Sequence, residues 1–462
     1  MTISWPKPPN IQGMLPCAAS IGERSTKPSV EESKDERKAE KNGPIFHIPS
    51  EILLRIFELI PEPPYHPEPP TKLSYLPASV PWTLTRICKS WERAVNGTPS
   101  LWCNLRFPTS LVESGLTDIR YLEIANITLN RSGNHYLNFS IDLEESEISA
   151  NILLLLLRRS HQWRKVEFNG DCPSFSLTNV LSPIRGNLGN LESLTISFPL
   201  RQHLDVFWDA PRLQKVDVRF HSAYDIDLPL SQLRAFTTNR LPSDSVSLLQ
   251  QCTHLAEFSY VDGDEPRAAG HAYDVVRLPQ IRLLNVEHPS VLHCLYTPGL
   301  KELKYRLSDD AHTVLNFLTI SRYNITCLGI TWTTESINTR SFVTLLQKLP
   351  NLQHLKVYDL FKYYDDQLDV YGTLRLGERT DNLVPNLQEL TLHLYDPSAI
   401  FDPEDIPEGP ELFESVMLSR LGRLRRLTLM QYLLTIPPCV KNLRNAGIDV
   451  VVDWKRWMEL AR

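Results

Sequence analysis

The sequence predicts an α/β repeat solenoid over residues 108–462, preceded by a small all-α domain over residues 44–107 and a disordered tail over residues 1–43. Three observations predict this order. A short leucine motif recurs along most of the chain, two amphipathic helical stripes come before it, and the first stretch is rich in polar residues and proline.

The tail carries many Pro, Ser, Lys and Glu residues and few large apolar ones. Such a segment cannot bury enough surface to offset the entropy lost on ordering, so we expect it to be disordered. Its stretch VEESKDERKAEKNG contains both signs of charge. That mixture favours a solvated tail over a basic localisation signal.

A first helix is predicted to begin at Pro49 and Ser50, where a fixed φ and a hydroxyl acceptor both favour a helix start. Its apolar side chains at helical spacing are Ile52, Leu53, Ile56, Phe57 and Ile60. Pro61 ends the helix because it has no N–H to donate. Residues 61–81 include PEPPYHPEPP and are expected to form an extended connector, with a ligand for an SH3 or WW module as the other interpretation.

A second helix is predicted over about residues 83–95. Its apolar stripe consists of Leu84, Ile87, Cys88, Trp91 and Val95. Gly97 is placed to end the helix, and the segment from Thr98 to Trp102 begins a further turn. Two helices this short cannot bury both stripes against each other, so we expect a docking surface for another protein; packing against the first repeat is the alternative.

The repeat unit is L-x-x-L-x-apolar, and its early copies lie about 19–28 residues apart, the period of leucine-rich repeats. The copies are Trp163–Phe168, Leu191–Ile196, Leu213–Val218, Leu233–Phe236, Leu255–Phe258, Ile281–Leu284, Leu300–Leu303, Ile325–Leu328, Leu352–Val357, Leu387–Leu392 and Leu424–Leu429. Intervening helices are predicted at 151–160, 243–251, 341–349 and 412–421, with insertions around 361–381 and 395–413.

An ordinary α/β domain also alternates strands and helices, and most copies lack the asparagine of regular repeats. The constant leucine spacing favours an irregular leucine-rich-repeat-like solenoid. Each unit cannot bury its apolar face alone, so stacking makes the core continuous and leaves a strand surface for partners.

The composition is ordinary for a globular protein, with 42% hydrophobic and 22% charged residues. A net charge of -6 gives no reason to expect nucleic acid as a partner. The most apolar run, residues 152–157, is far shorter than the ~20 residues of a membrane span, and no signal peptide is visible. We therefore expect a chain located in the cytoplasm and/or nucleus, in which the eight cysteines are reduced and mostly buried.

Motifs that carry chemistry are missing from the sequence: it has no glycine-rich phosphate loop, H-E-x-x-H or G-x-S-x-G. The histidines are dispersed, so neither a metal site nor a cofactor is expected. Cys88 lies on an apolar stripe, which disfavours a catalytic thiolate. The acidic run from Asp402 to Glu411 is interpreted as a solvated loop rather than a pair of acid/base carboxylates. The chain is expected not to be an enzyme.

The helical segment resembles an F-box. The motif residues run from Ile48 through Pro49-Ser50-Glu51-Ile52-Leu53 to Ile56-Phe57, followed later by Ile87-Cys88-Lys89-Ser90-Trp91 and by Thr98-Pro99-Ser100-Leu101-Trp102. Ile48 stands where a leucine is usual, and the proline-rich insertion is longer than in the compact form of the domain. That insertion, and Leu129-Asn130-Arg131-Ser132-Gly133 further on, are similar to a large fungal F-box family.

The resemblance implies the substrate-recognition subunit of an SCF-type (cullin-RING) ubiquitin ligase, acting as a monomer within that complex. The F-box would dock on a Skp-type adaptor, and the repeats would recruit a target protein that the sequence does not identify. The adaptor-binding residues implied are Pro49, Ile52, Leu53, Ile56, Phe57, Leu84, Ile87, Cys88, Trp91 and Trp102. A repeat-based interaction scaffold that joins no ligase is the alternative function.

Overall fold

The computed structural model describes residues 48–60, 79–108, 117–143, 146–170, 177–198, 200, 202–219, 226–239, 245–261, 275–307, 311–321, 324–332, 339–358, 373–376, 383–394, 409–431 and 438–453. The expected disordered tail lies outside these residues. So do the predicted connector up to residue 78 and most of the two predicted insertions. The chain divides into two compact units, Met1–Ile56 and Phe57–Arg462.

The helices of the described residues lie at short intervals along the chain. They are α1 Ser50–Glu58, α2 Ser79–Leu84, α3 Lys89–Asn96, α4 Asp118–Arg131, α5 Glu147–Leu157, α6 Leu177–Leu181, α7 Ser245–Gln251, α8 Ala311–Ser321, α9 Thr339–Gln347, α10 Gly409–Ser419 and α11 Pro438–Asn445. Short 3-10 turns occur at Pro99–Trp102, Ser160–Gln162, Ser182–Ile184, Leu230–Gln232 and Pro289–Cys294. The four helices predicted between repeats correspond to α5, α7, α9 and α10.

The strands alternate with these helices and turns. They are β1 Asn104–Phe107, β2 Leu137–Asp142, β3 Trp163–Asn169, β4 Ser193–Ile196, β5 Lys215–Val218, β6 Ala235–Thr238, β7 Glu257–Tyr260, β8 Val276–Arg277, β9 Leu283–Val286, β10 Leu295–Tyr296, β11 Glu302–Leu307, β12 Cys327–Trp332, β13 His354–Tyr358, β14 Glu389–Leu394, β15 Arg426–Gln431 and β16 Asp449–Asp453.

Fourteen of these strands form one parallel sheet in which neighbours follow chain order from β1 to β16; β8 and β10 pair separately. This order requires each strand-containing repeat to stack on the repeat before it, as in a repeat solenoid. The predicted irregular leucine-rich-repeat-like solenoid is therefore confirmed. Strands β1, β2 and β16 extend the sheet beyond the copies found in the sequence.

The leucine motif forms the sheet because side chains alternate between its two faces. In β4, Leu194 and Ile196 are fully buried, whereas Ser193 and Thr195 remain partly accessible. Leu191, the first leucine of the motif, is buried in the turn before the strand. We call the side of the sheet that carries Ser193 and Thr195 the open face.

The predicted continuous helix over residues 83–95 is wrong. The structure has α2 and α3 separated by a turn, with Cys88 extended at φ -159° and ψ 166°. The Thr85 hydroxyl donates to the Trp82 carbonyl at 2.8 Å, and such local bonds compete with helical pairing. The break leaves Ile87 exposed in the turn.

Arg420 is a fully buried arginine near the end of the sheet. Its Nε donates to the Leu374 carbonyl at 2.6 Å, and Nη1 and Nη2 donate to Val384 and Leu383 at 3.1 and 3.0 Å. Burial lowers its pKa to about 10. One side chain thus joins two chain segments that lie before and after residues 377–382.

Replacing Arg420 by methionine should lower the free energy of unfolding by about 2–4 kcal/mol, because three buried carbonyls lose their donor. Urea denaturation measures the change. Arg423→Met is the matched control, since Arg423 is exposed and donates to a single carbonyl, Pro385. An equal loss in both variants would contradict the role given to Arg420.

Candidate protein-interaction surfaces

Helix α1 carries apolar residues over two adjacent arcs. At about 100° per residue, Leu53 and Phe57 fall on one arc, and they are only 6% and 2% exposed. Ile52 and Ile56 fall on the neighbouring arc and are 52% and 44% exposed. Leu59 and Ile60, in the turn that follows the helix, are also exposed. We call the residues Ile52, Ile56, Leu59 and Ile60 the α1 apolar face.

The end of α1 is held by an aromatic contact. The rings of Phe57 and Trp91 meet edge to face, with centroids 4.8 Å apart and planes inclined at 60°. Trp91 lies on α3, whose Val95 is fully buried. This contact explains why Phe57 is covered.

The structure sorts the ten predicted adaptor-binding residues by exposure. Pro49, Ile52, Ile56 and Ile87 are exposed; Cys88 and Trp91 are half-buried; Leu53, Phe57, Leu84 and Trp102 are buried. The buried residues support the surface in this conformation, and the exposed ones are available to a partner. Leu59, which is 81% exposed, was not among the predicted residues because it follows the last helical turn.

Trp102 is buried in a cluster that we call the Arg131 stack. The Arg131 guanidinium carbon lies 4.5 Å from the ring centroids of both Trp82 and Trp102, and the two indoles meet edge to face at 5.4 Å. Trp82 Nε1 donates to the Thr128 hydroxyl at 3.1 Å, and Trp102 Nε1 donates to the Val95 carbonyl at 2.9 Å. The cluster joins α2 and the turn before β1 to α4.

The segment Leu129–Gly133 has a structural role that its family resemblance does not reveal. Arg159 donates from Nη1 to the Gly133 carbonyl at 3.1 Å and from Nη2 to Asn130 Oδ1 at 2.8 Å. Gly133 adopts φ 58°, a left-handed conformation in which glycine avoids the strain of a side chain. The end of α4 therefore contributes Arg131 to the Arg131 stack and is hydrogen-bonded to Arg159, just before the 3-10 turn that precedes β3.

The open face of β1–β5 contains a depression of about 1230 Å³. Its lining is polar and carries both signs of charge, including Lys165, Glu167, Lys215 and Asp217. Such a surface fits polar recognition of a partner better than apolar docking.

A second polar group lies further along the open face. Lys356 Nζ approaches Glu302 Oε1 at 3.1 Å, and Lys304 Nζ approaches the same oxygen at 3.6 Å. A side chain on the intervening Gly329 would come within 2.9 Å of the Lys304 stem, so glycine allows that stem to lie across β12. The two lysines lower the pKa of Glu302 against the opposing effect of its burial.

Strand register also aligns Cys327, His354 and Glu389 on neighbouring strands. A cysteine–histidine–carboxylate order is typical of thiol nucleophiles, but burial raises the pKa of Cys327 to about 11, the wrong direction for a thiolate. His354 Nδ1 is 2.9 Å from Glu389 Oε2.

Within the described residues no cluster of His, Cys, Asp and Glu could hold a metal ion. None of the described helices has the length and apolar character of a membrane span. Residues 402–408 of the predicted acidic loop lie outside the described part.

Comparison with known proteins assigns the helical segment to a family and adds structural neighbours. An F-box-like family model matches residues 45–108, so the predicted F-box resemblance is confirmed. The leucine-rich repeat-containing protein LegL7 from Legionella pneumophila is 12% identical over 74% of this chain and 97% of its own, with a TM-score of 0.37. An internalin (inlF) from Listeria monocytogenes is 13% identical over 68% of this chain and 86% of its own, with a TM-score of 0.30. The comparison with curated proteins found no match.

The chain therefore contains an F-box-like domain and a parallel repeat sheet. Both are typical of proteins that bind other proteins, which fits an interaction or substrate-receptor role.

Replacing Arg131 by methionine should cost about 1–3 kcal/mol of unfolding free energy, because two cation–π contacts are lost together. Arg131→Lys should lose less, since it keeps the charge but not the planar stacking group. Arg86→Met, an exposed arginine, should change stability by under about 0.5 kcal/mol. Equal unfolding midpoints for the Arg131 and Arg86 variants would contradict the structural importance of the stack.

Iodoacetamide at pH 8 should label half-buried Cys88 in the native protein before the five buried cysteines. Burial raises the pKa of Cys103, Cys294 and Cys327 to about 11 and that of Cys252 and Cys439 to about 12. Mass spectrometry of the labelled peptides gives the order.

The raised pKa values of these thiols also make the free energy of unfolding depend on pH. The unfolded thiols lose their protons near the usual value of 9.0, before the folded thiols do. Hence the free energy of unfolding should fall as the pH rises from about 9 towards 12. Rapid native labelling of Cys252 or Cys439, or a stability that rises over this range, would contradict the burial described here.

Proposed function

We propose that the chain is a substrate receptor of an SCF-type ubiquitin ligase. The F-box-like domain binds a Skp-type adaptor, and the open face of the repeat sheet binds a target protein. The receptor acts in the cytoplasm and/or nucleus as a single copy within the larger complex and performs no chemistry itself.

The observation that carries this proposal is the α1 apolar face within the family match at residues 45–108. Four large aliphatic side chains on α1 and in the turn after it are exposed, and each contributes ~1.5–3 kcal/mol when fully buried. After the costs of association and ordering, such a group of anchors is sufficient for a specific protein contact.

The receptor promotes ubiquitin transfer to its target by proximity. The receptor holds a target near a ubiquitin-loaded enzyme supplied by other subunits, which raises the effective concentration of the reacting groups. The Arg131 stack supports this role because it ties α2 and the turn before β1 to α4.

The test is binding of a purified Skp-type adaptor to the full chain and to an Ile52→Asp/Ile56→Asp variant. Each aspartate would lose its hydration on docking, so we expect at least about tenfold weaker binding. Isothermal titration calorimetry measures the affinity. Because both positions are exposed, the thermal midpoint should stay close to that of the unsubstituted chain.

The matched control is Ile320→Asp, which changes an isoleucine that is 68% exposed on α8. It should bind the adaptor as tightly as the unsubstituted chain. Equal affinity of the α1 variant and this control would contradict the proposed docking face. A native chain that does not bind the adaptor at all would favour a repeat-based scaffold outside any ligase.

A further inference from the structure

The open face of β4 carries only small hydroxyl side chains. Ser193 and Thr195, within the strand, and Ser197, just beyond its end, lie in successive rows on this face. Leu194 and Ile196 are buried between them. The facing positions on β3 and β5 carry longer charged and polar side chains. The difference in length produces a trough along β4 within the depression described above, and we call it the β4 trough.

Strand register places opposite charges at successive levels of the β4 trough. Lys165 on β3 and Lys215 on β5 both pair with Ser193, so two ammonium groups flank the first level. Glu167 on β3 pairs with Thr195 and brings a carboxylate to the second level. The trough therefore changes from basic to acidic between its first and second levels.

The other acidic group at the second level, Asp217, is already held within the chain. Arg219 approaches its two carboxylate oxygens from Nε and Nη2 at 3.2 and 3.3 Å. Lys165, Glu167 and Lys215 form no ion pair with any residue that the structure describes, and all three are exposed. At these two levels, two cations and one anion are thus available to a ligand.

The levels are two residues apart along a strand, which is about 6.6 Å. An extended peptide places its side chains i and i+2 on one face at the same spacing. The walls, β3 and β5, are separated by two strand spacings, about 9.5 Å. A helix with its side chains is about 10–12 Å wide, so the trough accommodates an extended segment better than a helix.

We infer that the β4 trough binds an extended segment of the target in which an acidic and a basic residue are two positions apart. The acidic side chain lies between Lys165 and Lys215, and the basic one meets Glu167. The Ser193 and Thr195 hydroxyls contact the backbone of the bound segment. This inference rests on the proposed function, since it names the chemistry of the target that the repeats recruit.

The experiment uses the full chain and three labelled synthetic peptides with the same Ser/Thr background and the centres Glu-Thr-Lys, Glu-Thr-Glu and Lys-Thr-Lys. Fluorescence anisotropy gives their affinities. The native chain should bind the Glu-Thr-Lys peptide at least about fivefold tighter than either other peptide, and binding should weaken with salt.

A Lys165→Glu/Lys215→Glu variant makes both levels acidic. It should prefer the Lys-Thr-Lys peptide, so the order of affinities is reversed rather than merely reduced. The matched control is Lys301→Glu/Arg306→Glu, which makes the same change of charge. Lys301 lies directly before β11, Arg306 lies within it, and both are exposed. That control should keep the native preference.

Three results would overturn the inference: no preference among the peptides, a preference that the trough substitutions leave unchanged, or tightest binding of Glu-Thr-Glu to the native chain. Every protein is also titrated with the Skp-type adaptor. Adaptor binding without peptide selection contradicts the trough alone. Peptide selection without adaptor binding contradicts the ligase proposal and leaves the trough intact.

Discussion

The contact of Arg131 with Trp82 and Trp102 is the interaction on which the arrangement around the first strands depends. One guanidinium lies 4.5 Å from both indole centroids and so joins α2, the turn before β1 and α4. Stacking between two aromatic faces partly compensates the cost of burying this cation, which lowers the pKa of Arg131. A lysine would keep the charge but not the planar group that stacks on both indoles, since its ammonium is compact and strongly hydrated.

Trp102 also shows that the F-box-like domain ends within the first repeat of the solenoid. Its Nε1 donates to the carbonyl seven residues earlier, on Val95, and Trp163 makes the same bond to Leu156. Each tryptophan ends a 3-10 turn or directly follows one, and each lies at or just before a strand of the sheet. Residues 89–107 therefore repeat the local structure of residues 147–169.

The sequence predicts the sheet well because the leucine motif encodes strand alternation directly, as Leu194 and Ile196 show. It predicts the apolar stripe of α1 because apolar residues recur there at helical spacing. It could not predict that Phe57 is buried while Ile56 is exposed, since Phe57 contacts Trp91, more than thirty residues away. The contacts of Arg131 and Arg420 could not be predicted from the sequence either, because their partners are remote along the chain. The β4 trough depends on the register of three strands, which no single repeat contains.

The proposed receptor binds an adaptor through an exposed apolar helix face and keeps its repeat sheet free for a target. Hydrogen–deuterium exchange of the full chain with and without a Skp-type adaptor is the decisive measurement. We expect slower exchange over residues 50–60 in the complex and unchanged exchange over β3–β5. Unchanged exchange over residues 50–60, or protection confined to the repeat strands, would contradict the proposal.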